Sequence, residues 1–424
     1  NNVAVGYQSL QALTLGDNNV AIGTDALNDV TEGIHNVAIG SNTLDAVTTG
    51  TRNIAIGSSA GGATTSSGSV YVGNFCGSSA NTANSVLIGY SAGEVATAGG
   101  VVAIGYEAGK AITSGAGNIA IGYEAGKTIA TASFNTYVGY QSGVGDGTQH
   151  SRNTGLGYQT LNAITGGEYN TALGNQAGLQ LTTGGSNTIL GAEAMSIGTV
   201  ANNIVAVGRS AGKNIATDGQ AQRNTYVGAY AGETVTNGIG QTFVGYYAGG
   251  YYDSGNGNSD VTYIGVSAGQ NHNAGSDNVA LGAYAHQGKS TTTGGSGNTV
   301  IGSRAAINVN DIDKTVIIGA YAVGTNEATS DIDGTVAIGY EALGVLTEGQ
   351  YNTAIGFRSG DNLTTGDKNT FLGYDSGTRG GSADGLTTGS NNTGVGYRAI
   401  SGSAGSSCTG DGNTGIGTDS LKGL

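Results

Sequence analysis

The chain has 424 residues, of which 81 are Gly, none is Pro or Trp, and only 10% are charged; an ordinary globular domain has roughly 7% Gly and about 25% charge. Its 15 basic and 29 acidic residues leave a net charge of −14, which repels phosphate backbones and argues against nucleic acid as a partner. Abundant Gly without Pro excludes collagen, and apolar residues recurring at fixed positions exclude a disordered chain.

From the N-terminus, the first predicted strand ends at Gly6, and the next three end at Gly23, Gly40 and Gly57. Each such anchor Gly follows Ile, Val or Leu, and 24 of them cover residues 1–424 as a single continuous array. The spacing is mostly 17 residues as far as Gly208, alternates between 20 and 17 from Gly208 to Gly356, and lengthens irregularly from Gly373 to Gly417. A fixed period of this kind predicts a solenoid of stacked turns rather than separate globular domains. No apolar run approaches the ~18 residues of a membrane span, so no membrane insertion is expected in this segment. Asn1 already lies inside a repeat, so the chain reads as a piece of something longer or processed, with its anchor elsewhere.

Within each repeat the residue before the anchor is Ile, Val or Leu, and the residue two earlier is Val, Ile or Thr. These two share one face of a strand and are expected to line the coil interior. The residue between them, as at Ala21, Tyr71, Leu87 and Phe243, points the other way, yet it is apolar or Gly in every copy. That outer face should be polar if it met water. A doubly apolar strand therefore predicts an oligomer, with the outer face against another chain.

Four residues before the anchor stands Asn in 16 copies, as at Asn19, Asn36, Asn53 and Asn118. Asn tolerates left-handed backbone, and stacked amides can bond along the axis. Three residues after the anchor every copy has Ala, Ser, Thr or Cys, often followed by Gly, and a polar Thr-Thr-Gly turn leads back to the next Asn. Each repeat thus predicts two short strands and two turns. Cys76 fills the small-residue slot and reads as buried filler. It would lie about 90 Å from Cys408 in a stack rising ~4.8 Å per turn, too far to pair.

The repeat resembles the head units of YadA-like trimeric autotransporter adhesins, which carry an Asn-x-Ala-Ile-Gly core followed by a small residue; Asn36 to Gly40, Asn53 to Gly57 and Asn118 to Gly122 match it. It is also similar to Asn-Thr-Ala-Ile-Gly-Tyr arrays of phage tail fibres, with a Phe variant at Asn352 to Phe357. The unit here is longer than the family's, the additional residues falling in the Thr/Gly turn. The resemblance implies an all-β, left-handed parallel β-roll, a homotrimer about a common axis, and an extracellular role in attachment to a host-cell receptor or glycan.

Three features compete for a site. The lengthened repeats predict outward loops, which could carry binding or be tolerated insertions. Asp311, Asp313, Asp331 and Asp333 stand at equal distances before Gly319 and Gly339. Stacked carboxylates repel unless a cation such as calcium joins them, or unless register slip and water separate them. Tyr90, Tyr106, Tyr123, Tyr140 and Tyr158 follow five successive anchors and could form a platform for a ligand or an aromatic ladder covering the coil. The four His are scattered, and no catalytic or cofactor motif has the necessary context. The expected function is a non-enzymatic attachment fibre. Ice binding through Thr arrays and a purely structural filament are the alternatives.

Overall fold

In the computed structural model the residues described are 1–62, 65, 67–145, 150–215, 221–251, 260–272, 275–288, 295–309, 312–324, 332–378, 387–401 and 410–422. They form an all-β parallel solenoid, with no helix among them. Every anchor Gly closes one three-residue strand, from β1 (Val3–Val5) and β2 (Val20–Ile22) to β24 (Thr414–Ile416). The expected second strand of each repeat is replaced by turns. Two compact units divide the chain: β1 to β12 (Thr188–Leu190) belong to the unit Asn1–Ile204, and β13 (Val205–Val207) to β24 belong to the unit that begins at Val205.

Within each unit, successive strands pair in parallel and in register, as Val3 with Val20, Ala4 with Ala21 and Val5 with Ile22. The hydrogen-bond ladder continues around the turns: Asp25 N–H donates to Tyr7 O at 2.9 Å and Leu27 N–H to Thr43 O at 3.0 Å. The anchor column sets the spacing. Its glycines hold φ of +131° to +143°, with Gly417 at +115°, a region L side chains rarely occupy. A Cβ on Gly57 would stand 2.5 Å from the carbonyl oxygen of Gly73 in the next turn.

The two strand faces are the reverse of the expected ones. The middle residue points into the coil: Ala21, Tyr71, Tyr137, Phe243 and Ala337 are wholly buried. The flanking Val, Ile, Leu and Thr look outward, as Ile22 and Val20 do. The physical reason is polarity and not size: the first flanking position is Thr in 12 of the 24 strands, whereas the middle position is apolar or Gly in all of them, from Ala21 to Tyr137 and Phe243.

Core volume is shared between two columns. Where the middle strand residue is Ala, the fourth residue after the anchor is a buried Leu in some turns, as at Leu27 and Leu44, and Gly in others, as at Gly109 and Gly126. Where it is an aromatic, that fourth residue is Gly. A Cβ on Gly143 would come within 2.5 Å of the Tyr137 ring, and Tyr71 is flanked by Gly61 and Gly77 in the same way. Asn runs beside this core. Asn36 is buried; its N–H donates to Asn19 Oδ1 at 3.0 Å and its Nδ2 to Gly50 O at 2.8 Å. The ladder reading of Asn therefore holds, each amide satisfying backbone groups that would otherwise be buried alone, but the left-handed backbone expected of it falls on the residue before, as at Asn18, His35 and Arg52.

One pair breaks the apolar pattern. His272 and His286 occupy core columns of the second unit, with ring centroids 3.7 Å apart. None of their four ring nitrogens has a hydrogen-bond partner. Burial pushes His272 down to about 4, and burial plus the neighbouring His272 pushes His286 well below the usual range. Among the described residues Tyr263 also meets the pair, its ring 6.5 Å from that of His286.

Two outcomes follow from this packing. Gly143→Ala should destabilise by about 1–3 kcal/mol through overpacking, in addition to the cost of its own left-handed backbone at φ +66°. Gly100→Ala, where a Cβ meets nothing within 4 Å, should cost about 1–2 kcal/mol for its left-handed backbone alone; equal losses in urea melts would refute the packing account. Unfolded His titrates near ~6.5, so the stability of the buried neutral pair is full above that pH. It falls as pH drops toward about 4, by up to about 1.4 kcal/mol per pH unit for each ring. His286→Leu should flatten the slope between pH 6.5 and 5, measured against wild type.

Candidate functional site

The outward strand face carries two apolar rows in each unit. Ile22, Ile39, Ile54, Leu156, Leu173, Leu281 and Leu372 keep 36–46% of their surface exposed. The rows hold Thr as well, as at Thr136, Thr154, Thr171 and Thr188 of four successive turns.

Beside them, Tyr90, Tyr106, Tyr123, Tyr140 and Tyr158 form one stack. Adjacent centroids are 5.1–5.4 Å apart and the ring planes lie within 8–11° of each other. Phe75 meets the Tyr90 end edge-on at 5.9 Å. The rings cover each other's faces, so what they offer outward is edges and hydroxyls rather than a flat platform. A second ladder, not singled out from the sequence, runs through Tyr340, Phe357, Tyr374 and Tyr397 with centroids 5.2–5.5 Å apart. Its signal was present as aromatics following four successive anchors.

Each ladder has a polar column one residue further on. In the first unit Lys127 Nζ lies 2.6 Å from Glu107 and 2.8 Å from Glu124, and Lys110 Nζ lies 2.8 Å from Glu107. Hydrogen bonds from these ammonium groups hold both carboxyls below the usual range, with Gln141 Nε2 adding to the effect at Glu124. Gln159 and Gln176 continue the column by side-chain amide bonds of 3.0 and 3.2 Å. In the second unit Glu341, Arg358, Asp375 and Arg398 alternate in sign, with Arg358 3.5 Å from Glu341 and Arg398 3.8 Å from Asp375. Exposed pairs of this kind add little energy singly, but they favour neighbours of the right sign in each turn.

The Asp candidates separate. Asp311 and Asp331, and residues 216–220, 252–259, 289–294 and 325–331 of the lengthened repeats, lie outside the described residues. Asp313 and Asp333 stand in consecutive turns and serve the backbone: Ser296 N–H donates to Asp313 Oδ1 at 2.5 Å and Asp313 N–H to Asp333 Oδ1 at 2.8 Å. Asp367 and Asp411 do the same for Gln350 and Ser390, at 2.8 and 2.7 Å. Among the described residues no three His, Cys, Asp or Glu gather as metal ligands. Cys76 is buried, its thiol donates to Leu87 O at 3.0 Å, and burial pushes it up to about 12. That keeps it protonated and unreactive at neutral pH. Cys408 lies outside the described residues.

With Asp313 and Asp333 occupied by backbone N–H groups, millimolar calcium and EDTA should give the same melting temperature. A rise of several degrees with calcium would restore the cation reading. No family model matches the chain, and no curated protein matches it.

Proposed function

We propose that the chain is a non-enzymatic segment of an extracellular attachment fibre, a phage tail fibre or a bacterial surface adhesin, in which three copies pack through the outward strand face. The observation that carries this reading is the outward double row, Ile, Val or Leu beside Val, Ile or Thr, exposed on a single chain. Twelve strands at ~4.8 Å, with two rows about 7 Å apart, make a stripe of roughly 400 Å² per unit. The largest apolar patch on a monomer is about 300–600 Å² and often functional, and the stripe is of that scale. The resemblance of Asn36 to Gly40 and its equivalents to YadA-like heads favours three copies over two, and a left-handed roll. In such an assembly the laddered backbone and stacked side chains supply stiffness, and surface features between the ladders are presented to a receptor or glycan.

A second reading has one observation in its favour. Thr136, Thr154, Thr171 and Thr188 look outward from strands rather than turns, a regular hydroxyl array of the kind ice binding uses. The same face cannot serve both roles at once.

Light scattering on the purified chain should give the mass of three copies. Ile39→Lys combined with Ile56→Lys, both on the outward row, should release folded monomers with unchanged circular dichroism. A wild-type chain that is a stable monomer sinks the assembly reading, and thermal hysteresis by that monomer would favour ice.

A further inference from the structure

Aromatic residues that follow successive anchors stack and cover each other. Tyr246 does not, because its neighbours in that column are Ala229 and Val266. Its ring stands at 83° to Tyr247, 4.7 Å away, and at 90° to Tyr230, 5.9 Å away. Tyr230, Tyr247 and Tyr251 form a row of their own, with centroids 4.7 and 6.3 Å apart and planes within 12° and 16°. Two aromatic planes therefore meet at a right angle. Tyr246 is 50% exposed and Tyr251, the end of its row among the described residues, 47%, so these two rings are the open surfaces of the corner, while Tyr247 lies between its neighbours.

The rim is polar. The Arg209 guanidinium lies 5.6 Å over the Tyr230 ring. Burial, followed by the Glu233 carboxylate and the neighbouring phenols, raises the Tyr247 hydroxyl above its ordinary range.

We propose that the Tyr246 corner is a saccharide-binding site that takes one pyranose ring of an oligosaccharide or surface glycan. The proposal rests on the attachment reading and names its ligand class. A pyranose has an apolar C–H face and a rim of hydroxyls. Aromatic planes provide large, rigid contact for the first, and phenol, guanidinium and carboxylate groups provide donors and acceptors for the second. A purely apolar peptide would desolvate those polar groups without replacing their bonds. A phosphate would approach a chain of net charge −14, which repels it. The site lies at the start of a lengthened turn, from Gly245 to Gly265.

The test uses the whole chain and saturation-transfer NMR with maltotriose, chitotriose, lactose and mannobiose as probes. At least one should receive saturation with a millimolar or tighter Kd. Tyr246→Ala and Tyr251→Ala should each weaken it tenfold or more, with unchanged circular dichroism. Tyr123→Ala, within the closed stack, should leave binding unaltered. Absence of transfer to all four sugars, or binding that survives both corner variants, overturns the site. Assembly is read separately: a trimer that ignores every sugar loses the corner but keeps the fibre, and a sugar-binding monomer does the reverse.

Discussion

Everything in this fold depends on how closely one turn can approach the next at the anchor glycine. Backbone there is held at φ near +135° against the carbonyl of the following turn, and no side chain fits the gap. That contact fixes the axial distance and phase at which every other column must meet its copy. Once it is set, Asn finds Asn, Tyr finds Tyr and carboxylate finds ammonium. Remote regularities, including the outward apolar rows, are consequences of one residue type at one position.

The array, its period, the strand ending at each anchor, the Asn ladder and the small-residue column were legible in the sequence because each is a local constraint repeated two dozen times. Which face lies inside was not. Val20 and Ile22 are larger and more β-branched than Ala21, and size normally marks the core. Here polarity is the better guide: the first flanking position is Thr in 12 of the 24 strands while the middle one is apolar or Gly in all of them, and the aromatics among those middle residues pair with Gly, as Tyr137 does with Gly143. The second predicted strand failed for a related reason. Positions such as Gln8, Leu10 and Asn18 adopt left-handed φ of 54–60°, which bends the chain where small and apolar residues suggested extension. Of the candidate sites, the Tyr row was legible as a set but not as a closed stack. The corner at Tyr246 was not legible at all, because it depends on Ala229 and Val266 being unable to stack.

The exterior is organised by the same axial repetition but to different ends. Where aromatics are consecutive they insulate one another, and where charges are consecutive they alternate or clamp, as Glu107, Lys110, Glu124 and Lys127 do. A surface ruled by such columns has few irregular places. Recognition by a partner of defined shape therefore falls to the interruptions, and assembly falls to the uninterrupted apolar rows.

The exchange of volume between the middle strand residue and the fourth residue after the anchor bears on how such an array can evolve. Tyr71 touches the space of both Gly61 and Gly77, so a turn is compatible only with certain neighbours above and below. Copying or deleting a single turn is harmless inside a run of like turns, such as those around Ala21 and Ala38. It is harmful at a boundary between small and aromatic types. Lengthening by duplication is thus channelled into homogeneous blocks, and drift between repeats should proceed by compensated pairs of changes that cross from one turn to the next.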